Sequence, residues 1–549
     1  QPRAYGEQMI PELTPTNPYG LTCPHCVGRL SQEANLHHGG SDWNYRRPDV
    51  MRCTVCGQTY PHPRYPETGN LICPRSGQTF TYYRNRRQRA HSDDHSGEYA
   101  WHWVGHPVHL SFAGVIRERK ARFMLRAGWN LALMYRLTGD PRYAERGVSI
   151  LRRLAHCYRN WLYHDYWGTF ADCDPLYAAW HTDRLRLEWK RHAYTRAYSE
   201  DTPRSASMLQ NYWGAGRLHP STDAVSCLKT ICETYDMLHD ASDGDEKPIW
   251  TERARRKVER DLILEYVMGT EPFVGGPGRA EATNNKAPRV YVAMAAVARC
   301  LGLSKYADTA LRGYEALRDR SFLADGFSRE SPGYTNMFLR NTVRIPEVLH
   351  GFDWPEGNDG RTDTVDLFRS DQALCRIMRT ALESLRPDGC FLPLSDTRVD
   401  TRPAPNVFEI GLNRYPEFYS GAPPRLYGSR SPGRYALLHL SARDAPQSSE
   451  LPLPEGVFPD WMTAVLRSGS TPEAPTIAMP FNPPGGHRHR DNLALYYVAG
   501  PRAVLGDLGY VGDTPMNGWI RSTLSHNLVV VDGEEQAMQD RAPSLCMMA

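Results

Sequence analysis

Apolar residues recur at helical spacing between about residues 113 and 386. They stand three or four positions apart over 113–139, and a second helix is predicted from Asp140 and Pro141, because proline is favoured in a first helical turn. Residues 137–144 and 301–307 share one arrangement, a short glycine-containing turn that joins two helices. Repeated hairpins of this kind form an open solenoid or a closed toroid. Further helices are predicted near 222–240, 250–268, 287–301, 305–319, 336–350 and 365–386.

Short β-rich runs replace this pattern beyond about residue 430. Apolar, β-branched and aromatic residues between turn residues predict strands over 435–440, 462–466, 493–498, 503–505 and 528–531. Short consecutive strands favour an antiparallel sheet, so we expect a sheet domain here. Because the chain ends soon after the last run, we expect the remainder of a β-sandwich to be missing from it.

Length and charge set only broad limits. A chain of 549 residues exceeds what one compact core usually holds, so two or three domains are expected. Its 65 basic and 62 acidic residues give a net charge of +3, which neither requires nor excludes an acidic substrate. No apolar run approaches the roughly 20 residues that span a bilayer, and no signal-like segment stands at Gln1. We expect no membrane insertion, no nucleic-acid partner, and a secreted or periplasmic protein whose signal has been removed.

Four of the thirteen cysteines form two CxxC pairs, Cys23 with Cys26 and Cys53 with Cys56. Two such pairs can supply the four thiolates of a tetrahedral zinc site. Redox chemistry is the alternative, but the presence of two pairs favours structural zinc. A closed site leaves no open position on the metal, so we expect it to fold a zinc ribbon-like module over residues 1–95 and not to catalyse.

The segment 485–491, Gly-Gly-His-Arg-His-Arg-Asp, carries two histidines, and Asp507 and His526 follow. In an extended strand His487 and His489 point to one face. Imidazole and carboxylate suit a divalent metal such as zinc, and a remaining histidine can transfer protons. A simple hairpin turning at 500–501 would leave His489 about 16 Å from the position opposite Asp507, so shared ligation requires the segment to bend back at its glycines. A solvated turn is the alternative interpretation.

A second group of polar residues lies in the helical region. Asn284 and Asn285 precede a helix with Pro288 in its first turn, so Asn285 lies near the positive end of a helix dipole, which favours a bound carboxylate. The alternative is that either asparagine is merely an N-cap. Tyr334 follows in a turn-rich segment that also contains Glu330, and packing is the alternative role for this tyrosine.

Together these motifs resemble the heparinase II/III-like polysaccharide lyases over roughly residues 100–540. The matching pieces stand in the family's order: the Asn-Asn pair at 284–285, Asp-Gly to Glu-Ser-Pro-Gly-Tyr at 325–334, His-Arg-His-Arg-Asp at 487–491, Gly-Asp-Leu-Gly-Tyr at 506–510 and Ser-His-Asn-Leu-Val-Val-Val-Asp-Gly at 525–533.

The resemblance implies a multidomain α+β fold. It consists of an α/α toroid of helical hairpins over 96–425 as the catalytic domain, followed by an antiparallel β-sandwich over 426–549. The zinc ribbon-like module at 1–95 is not part of the family's common core.

The same resemblance implies roles for individual residues. Asn285 would neutralise a uronate carboxylate, Tyr334 would act as base and acid, and His487 would be the catalytic histidine of the sandwich. Three further residues would hold a metal, zinc or another divalent ion: His489, Asp507 and His526. The implied activity is β-elimination on an acidic polysaccharide that contains uronic acid, sulfated or not.

One position departs from the family's pattern. Many members have Asn-His where this chain has Asn285 and Lys286, and a lysine with an ordinary pKa near ~10.4 is a poor base at neutral pH. A two-base mechanism is therefore in doubt. Candidate substrate-binding residues are Trp213, Arg217, Lys286, Arg289 and Glu330, where core packing of Trp213 and a solvated position of Arg289 are the alternatives.

Two other functions remain open at this stage. A uronyl C5-epimerase on the same fold would remove the same proton and return it to C5 without expelling O4. A glycan-binding protein with purely structural zinc sites would have no catalytic tyrosine.

Overall fold

The structure is a computed structural model that describes residues 6–14, 23–26, 36, 40–72, 77–83, 111–162, 164–165, 215–218, 223–271, 282–283, 286–355, 363–419, 424–427, 431–440, 453–481, 483, 485–500, 502–510 and 516–537. The chain divides into two compact units, one made of Gln1–Ala282 and Arg289–Thr309 and the other of Thr283–Pro288 and Ala310–Ala549. The domain boundaries near residues 95 and 425 remain predictions.

The first unit begins with small antiparallel sheets. Its strands are Ser41–Trp43 (β1), Met51–Cys53 (β2), Thr59–Tyr60 (β3), Gly69–Ile72 (β4) and Thr79–Tyr82 (β5), after a 3-10 turn at Glu7–Met9. Strands β1, β2 and β3 form one sheet in that order, and β4 pairs with β5. Buried cysteines of this region share a hydrophobic cluster with Phe112, Val115 and Ile116. The N-terminal sheet therefore packs on the start of the first long helix.

The predicted pair of long helices is confirmed. Helix Phe112–Thr138 (α1) begins at the N-cap Ser111 and ends at Gly139, whose φ of 70° is left-handed. Helix Pro141–Tyr158 (α2) follows, and Asp140 caps it by accepting a hydrogen bond from the amide of Arg142. The unit continues with Asp223–Leu238 (α3), Glu252–Val258 (α4), a π-helical turn at Glu259–Leu264, Glu265–Thr270 (α5) and Ala287–Leu301 (α6), whose first two residues belong to the second unit. Its short strands His164–Asp165 (β6) and Ala215–Gly216 (β7) pair with each other.

Helices also dominate the first half of the second unit. They are Ser304–Ser321 (α7), which begins in the first unit, Pro332–Thr342 (α8), Arg344–Leu349 (α9), Leu367–Ser370 (α10), Gln372–Glu383 (α11), Pro405–Arg414 (α12), Pro416–Tyr419 (α13), Arg434–His439 (α14) and the later Asn517–Ile520 (α15), with 3-10 turns at Pro424–Tyr427 and Thr523–Ser525. Two predicted helices are divided. The helix expected near 336–350 breaks after Thr342. Pro346 has no N–H to donate to the Thr342 carbonyl, and a continuous helix would require that hydrogen bond. The one near 365–386 restarts at the N-cap Asp371.

A five-stranded antiparallel sheet follows, as predicted. Its strands are Gly456–Phe458 (β8), Thr463–Arg467 (β9), Pro475–Pro480 (β10), Tyr496–Ala499 (β11) and Arg502–Leu505 (β12), each paired with the next along the chain. Strands β9, β11 and β12 confirm three of the predicted runs, and β11 is shorter than expected at its start.

Two predicted strands are wrong. Residues 435–439 fall in helix α14, because Ala436, Leu437 and Leu438 favour a helix and no β-branched residue opposes it, and Leu440 is the C-cap. Residues 528–531 form no strand. Val529 is 85% exposed, and the left-handed Asp532 and Gly533 turn the chain directly afterwards. A β-branched run does not make a strand where no neighbouring strand pairs with it in the described region.

One face of the sheet forms the core that supports the functional residues. Buried and less buried positions alternate along β10 and β11, as expected for a sheet with one covered face. The cluster on this face includes Val465 and Tyr496 together with Phe327, Leu392 and Leu394 from the preceding helical part. The strands that the structure describes within 453–537 form this one sheet, so the complete sandwich remains a prediction, as does the toroid. Among the described residues, no helix has the length and apolar character needed to cross a membrane.

Candidate active site and metal centres

Tyr334 is held at the start of helix α8. Ser331 is the N-cap, and its Oγ accepts a hydrogen bond from the Tyr334 amide at 3.3 Å. Pro332 occupies the first turn, and the Gly333 amide donates to Thr397 Oγ1 at 2.9 Å. A Cβ at Gly333 would lie 2.9 Å from the Asp396 carbonyl oxygen, so only glycine allows this close approach. The Ser-Pro-Gly-Tyr sequence thus fixes the tyrosine against the loop at 395–397.

The segment 485–491 bends as the sequence analysis required. Gly485 has a φ of +107°, and an added Cβ would lie 1.4 Å from the Arg329 carbonyl oxygen. The Gly486 amide donates to that same carbonyl at 3.0 Å, and Gly486 forms a parallel β-bridge with Glu330. His487 is also left-handed, with a φ of 57°. The chain therefore leaves strand geometry at Gly485 and at His487, and it turns toward the helical part of the same unit.

His487 lies against Tyr334. Their ring centroids are 3.5 Å apart and the planes differ by 12°. His487 Nδ1 donates to Glu330 Oε2 at 2.5 Å, which leaves Nε2 as the other ring nitrogen available for a ligand. Tyr510 contacts the edge of the pair, with its centroid 5.8 Å from that of Tyr334. The structure thus brings together three of the predicted site residues, Glu330, Tyr334 and His487.

The predicted metal ligands also converge. His489 Nδ1 lies 3.1 Å from His526 Nε2 and 3.4 Å from Asp507 Oδ2, and the third edge, from His526 Nε2 to Asp507 Oδ2, is 3.7 Å. Zinc bonds of about 2.0–2.1 Å in a tetrahedron separate the ligand atoms by about 3.4 Å. The side chains of all three residues are fully buried. The donor set therefore fits a small divalent metal, in agreement with the predicted group.

The second nitrogen of each imidazole is already engaged. His489 Nε2 donates to Asp396 Oδ1 at 2.9 Å, and His526 Nδ1 donates to the Ser522 carbonyl at 2.7 Å. Asp507 Oδ1 accepts from the Gly509 amide at 2.8 Å. These bonds leave His489 Nδ1 and His526 Nε2 as lone-pair donors toward the same point, which is the arrangement that metal ligation requires.

The electrostatics of this group favour a positive charge among the donor atoms. Burial disfavours the charged form of His489, but hydrogen bonds to Asp396 and Asp507 outweigh it and raise the pKa to about 9. The pKa of His526 is also raised, because Asp507 outweighs burial. Burial opposes ionisation of Asp507, but hydrogen bonds from both histidines hold its pKa below the ordinary value.

Asp396 and Arg521 belong to the site, and sequence reasoning missed both. Asp396 is 3% exposed and accepts from His489 on one side and from Arg521 on the other. Its amide donates to the His487 carbonyl at 3.2 Å. Burial opposes ionisation of Asp396, but His489 and Arg521 outweigh it and lower the pKa. The signal in the sequence was weak, a polar run at 395–397 directly after an apolar one.

The four cysteines form a separate group in the first unit. Cys23 Sγ lies 3.7 Å from Cys56 Sγ, and Cys26 Sγ lies 3.9 Å from Cys53 Sγ. A tetrahedral zinc with bonds of about 2.3 Å places its sulfurs about 3.8 Å apart, so this group also fits a metal. Each pair ends a tight turn, as shown by the bonds from the Cys26 amide to the Cys23 carbonyl and from the Gly57 amide to the Cys53 carbonyl.

The remaining predicted residues are distributed differently. Asn285 and Trp213 lie outside the described residues. Arg217, in the first unit, is buried, donates to Glu265 Oε1 at 2.6 Å and stacks over the Tyr158 ring at 4.6 Å. Lys286 directly precedes helix α6 and Arg289 lies in its first turn, both half-buried. Their substrate-binding roles remain predictions, and Arg217 already has a half-buried carboxylate partner in Glu265.

Comparisons with known proteins gave structural matches alone. No protein-family model and no curated protein matches the chain. Among solved structures, it is similar to a heparinase III gene product with a TM-score of 0.44 and 13% identity, over 82% of this chain and 62% of that one. It is also similar to the heparan sulfate lyase HepC from Pedobacter heparinus, with a TM-score of 0.41 and 14% identity over 80% and 59% of the two chains. The chain therefore spans less than two thirds of these structures.

Proposed function

We propose that the protein is a polysaccharide lyase that cleaves an acidic, uronate-containing glycan by β-elimination. The observation that supports this function best is the stacked pair of Tyr334 and His487, held by Glu330 beside the cation Arg521. A phenol and an imidazole in one partly exposed cluster supply a proton-transfer group and a group that binds negative charge. Hydrolysis of a glycosidic bond uses a pair of carboxyl groups in most enzymes, whereas elimination requires none.

The reaction begins at C5 of the uronate. Tyr334, as phenolate, takes the C5 proton, and the electron pair of the C5–H bond forms a C4–C5 double bond as the bond from C4 to the glycosidic oxygen breaks. The same tyrosine returns the proton to the departing oxygen, so atoms and charge balance. Neutralisation of the adjacent carboxylate is the first requirement, because its charge opposes the carbanion. We assign that role to Asn285 together with His487.

Two zinc sites complete the proposal. Cys23, Cys26, Cys53 and Cys56 would hold one ion, and His489, Asp507 and His526 the other. When bound, each ion supplies a fixed positive charge that ties separate chain segments together. Proton transfer to and from the sugar involves the protein's own residues, because the second group is fully buried while the His487 side chain is 30% exposed.

An activity screen tests the proposal. The protein is incubated with chondroitin or dermatan sulfate, heparan sulfate, ulvan, alginate and glucuronan, and the ultraviolet absorbance of unsaturated uronate is followed. We expect a signal on at least one glycan and its loss in Tyr334→Phe. If solvent deuterium enters C5 while the chain length stays constant, the protein is a C5-epimerase and not a lyase. Binding without either reaction, unchanged in Tyr334→Phe, would indicate a glycan-binding protein.

A further inference from the structure

One buried carboxylate joins the metal ligands to the surface of the candidate active site. Asp396 Oδ1 accepts from His489 Nε2 at 2.9 Å and from Arg521 Nε at 3.3 Å, and Asp396 Oδ2 accepts from Arg521 Nη2. The side chain of Asp396 is 1% exposed, whereas that of Arg521 is 39% exposed. Arg521 therefore has a buried, fixed side and an open side.

The open side of Arg521 has unused hydrogen-bond donors. A guanidinium carries five N–H groups, and Asp396 engages Nε and Nη2 in the paired geometry typical of arginine with a carboxylate. Arg521 Nη1 forms no hydrogen bond with any residue that the structure describes. An arginine oriented by one carboxylate on its inner edge can bind a second carboxylate through the donors that remain.

The surroundings of Arg521 indicate where that second carboxylate would lie. Burial opposes a charge on Arg521, but Asp396, Tyr334 and Tyr510 together raise its pKa. Asp396, which holds the guanidinium, also binds the Tyr334 cluster through its backbone: its carbonyl accepts from Ser331 Oγ at 3.2 Å, and its amide donates to the His487 carbonyl at 3.2 Å. Arg521 directly follows helix α15 as its C-cap. The Arg521 carbonyl accepts a hydrogen bond from the amide of Arg490 at 3.1 Å, and Arg490 is the neighbour of the predicted metal ligand His489.

We propose that Arg521 binds the uronate carboxylate of the substrate beside Tyr334, and that Asp396 couples the position of Arg521 to the metal centre. The inference rests on the proposed function for the identity of the ligand, and it extends that function to a specificity residue and to a role for the metal in substrate affinity. A metal bound at His489 fixes the ring, the ring fixes Asp396, and Asp396 fixes the guanidinium.

Removal of the guanidinium tests the first half. Short oligosaccharides of the five polysaccharides are titrated by calorimetry into the wild type, Arg521→Gln, Arg521→Lys and the control Arg398→Gln. Arg398 lies near Asp396 in sequence, is 67% exposed and pairs with exposed Asp400. We expect Arg521→Gln to lower affinity on the order of tenfold to hundredfold, the value of a charge-assisted hydrogen bond, Arg521→Lys to lower it less, and the control to leave it unchanged.

Carboxyl-reduced oligosaccharides identify the group that Arg521 contacts. The wild type should bind them at least as weakly as Arg521→Gln binds the acidic forms, and Arg521→Gln should distinguish acidic from reduced ligands by a smaller factor than the wild type does, because only Asn285 and His487 then remain to contact the carboxylate. Equal loss of affinity for acidic and reduced ligands in Arg521→Gln would overturn carboxylate binding, as would failure of the wild type to bind any acidic oligosaccharide.

Chelation tests the second half. Chelator-treated wild type should lose affinity by about the same factor as Arg521→Gln, and chelation should change the affinity of Arg521→Gln little, because coupled effects are not additive. If chelation lowers the affinity of the wild type and of Arg521→Gln by equal factors, the coupling between the metal and Arg521 is overturned. Cleavage by the wild type with unchanged binding in Arg521→Gln would refute this inference alone, whereas weakened binding in Arg521→Gln without any cleavage would refute the lyase and retain the inference.

Discussion

At the scale of single residues, the two neighbouring histidines of segment 485–491 have different surroundings. The expectation that both point to one face assumed an extended strand, and it is wrong because His487 is left-handed. His487 stacks on Tyr334 with a side chain 30% exposed, whereas the His489 side chain is fully buried among metal ligands. The two histidines therefore lie in surroundings that suit different roles, and the roles themselves stay predictions.

Exchange of each histidine for alanine separates these roles. His489→Ala should lose the metal of its site and lower the melting temperature, because Asp507 and Asp396 remain as buried carboxylates with one fewer cationic partner. His487→Ala should keep metal content and melting temperature while lowering kcat on the order of a hundredfold, as expected for a proton-transfer or charge-stabilising group. Metal analysis, thermal unfolding and initial rates check this, and equal metal loss in both variants would contradict it.

At the scale of elements, the sequence predicted well what depends on local pattern. Helix Ala287–Leu301 has the predicted bounds, because apolar spacing and Pro288 in the first turn mark the element locally. The prediction of a strand at 435–440 is wrong because a short apolar run can be helix or strand. Asp396 and Arg521 could not be predicted, because they are 125 positions apart in the chain and belong to no recognisable spacing.

Gly485→Ala tests the bend that places segment 485–491. A Cβ there would overlap the Arg329 carbonyl oxygen, and the φ of +107° is strained for any L residue, so the segment must move. We expect loss of the His489 site metal and of activity, with the four-cysteine metal retained. Gly518→Ala is the matched control, since its added Cβ has no heavy atom within 4 Å. Metal content that stays unchanged in Gly485→Ala would disprove the bend.

Asp371 makes the stability of helix α11 depend on pH. Its carboxylate caps the helix and accepts from Tyr314 Oη at 2.7 Å and Arg318 Nη1 at 3.0 Å. Burial opposes ionisation, but these hydrogen bonds outweigh it and lower the pKa of Asp371. A lowered pKa in the folded state stabilises the protein above the unfolded pKa of about 3.9, and the contribution is lost as pH falls through the folded value.

Asp371→Asn should therefore lower the free energy of unfolding by about 2–3 kcal/mol at pH 7, and the difference from the wild type should shrink below about pH 4. Urea unfolding across that range measures it. Asp319→Asn removes an exposed partner of the same arginine and should cost less than about 1 kcal/mol. A deficit for Asp371→Asn that stays constant down to low pH would contradict the assignment.

At the scale of the whole molecule, the described part of each compact unit contains one group that fits a metal. The cysteines lie in the N-terminal part of the first unit, and His489, Asp507 and His526 lie in the second. Both groups join segments that are distant in sequence. Metal binding should therefore contribute separately to the stability of each unit, because the ligands converge only in the folded chain.

Metal analysis of the purified protein tests this arrangement. We expect two equivalents of zinc per chain, one after Cys53→Ser and one after His489→Ala, with a lower melting temperature in each case. The two losses should be additive in the double variant, because the two groups share no ligand. One equivalent of zinc in the wild type would exclude one of the two metal centres, and the single variants would show which of the two groups binds no metal.

The formation of unsaturated uronate tests the central claim most directly. Wild-type protein and Tyr334→Phe are incubated with the five acidic polysaccharides, and products are followed by ultraviolet absorbance and by mass. The proposed mechanism predicts unsaturated ends from at least one glycan, and loss of them in Tyr334→Phe with metal content and melting temperature unchanged. Undiminished elimination in Tyr334→Phe, or no unsaturated product from any of the five glycans with the metal-loaded wild type, would contradict it.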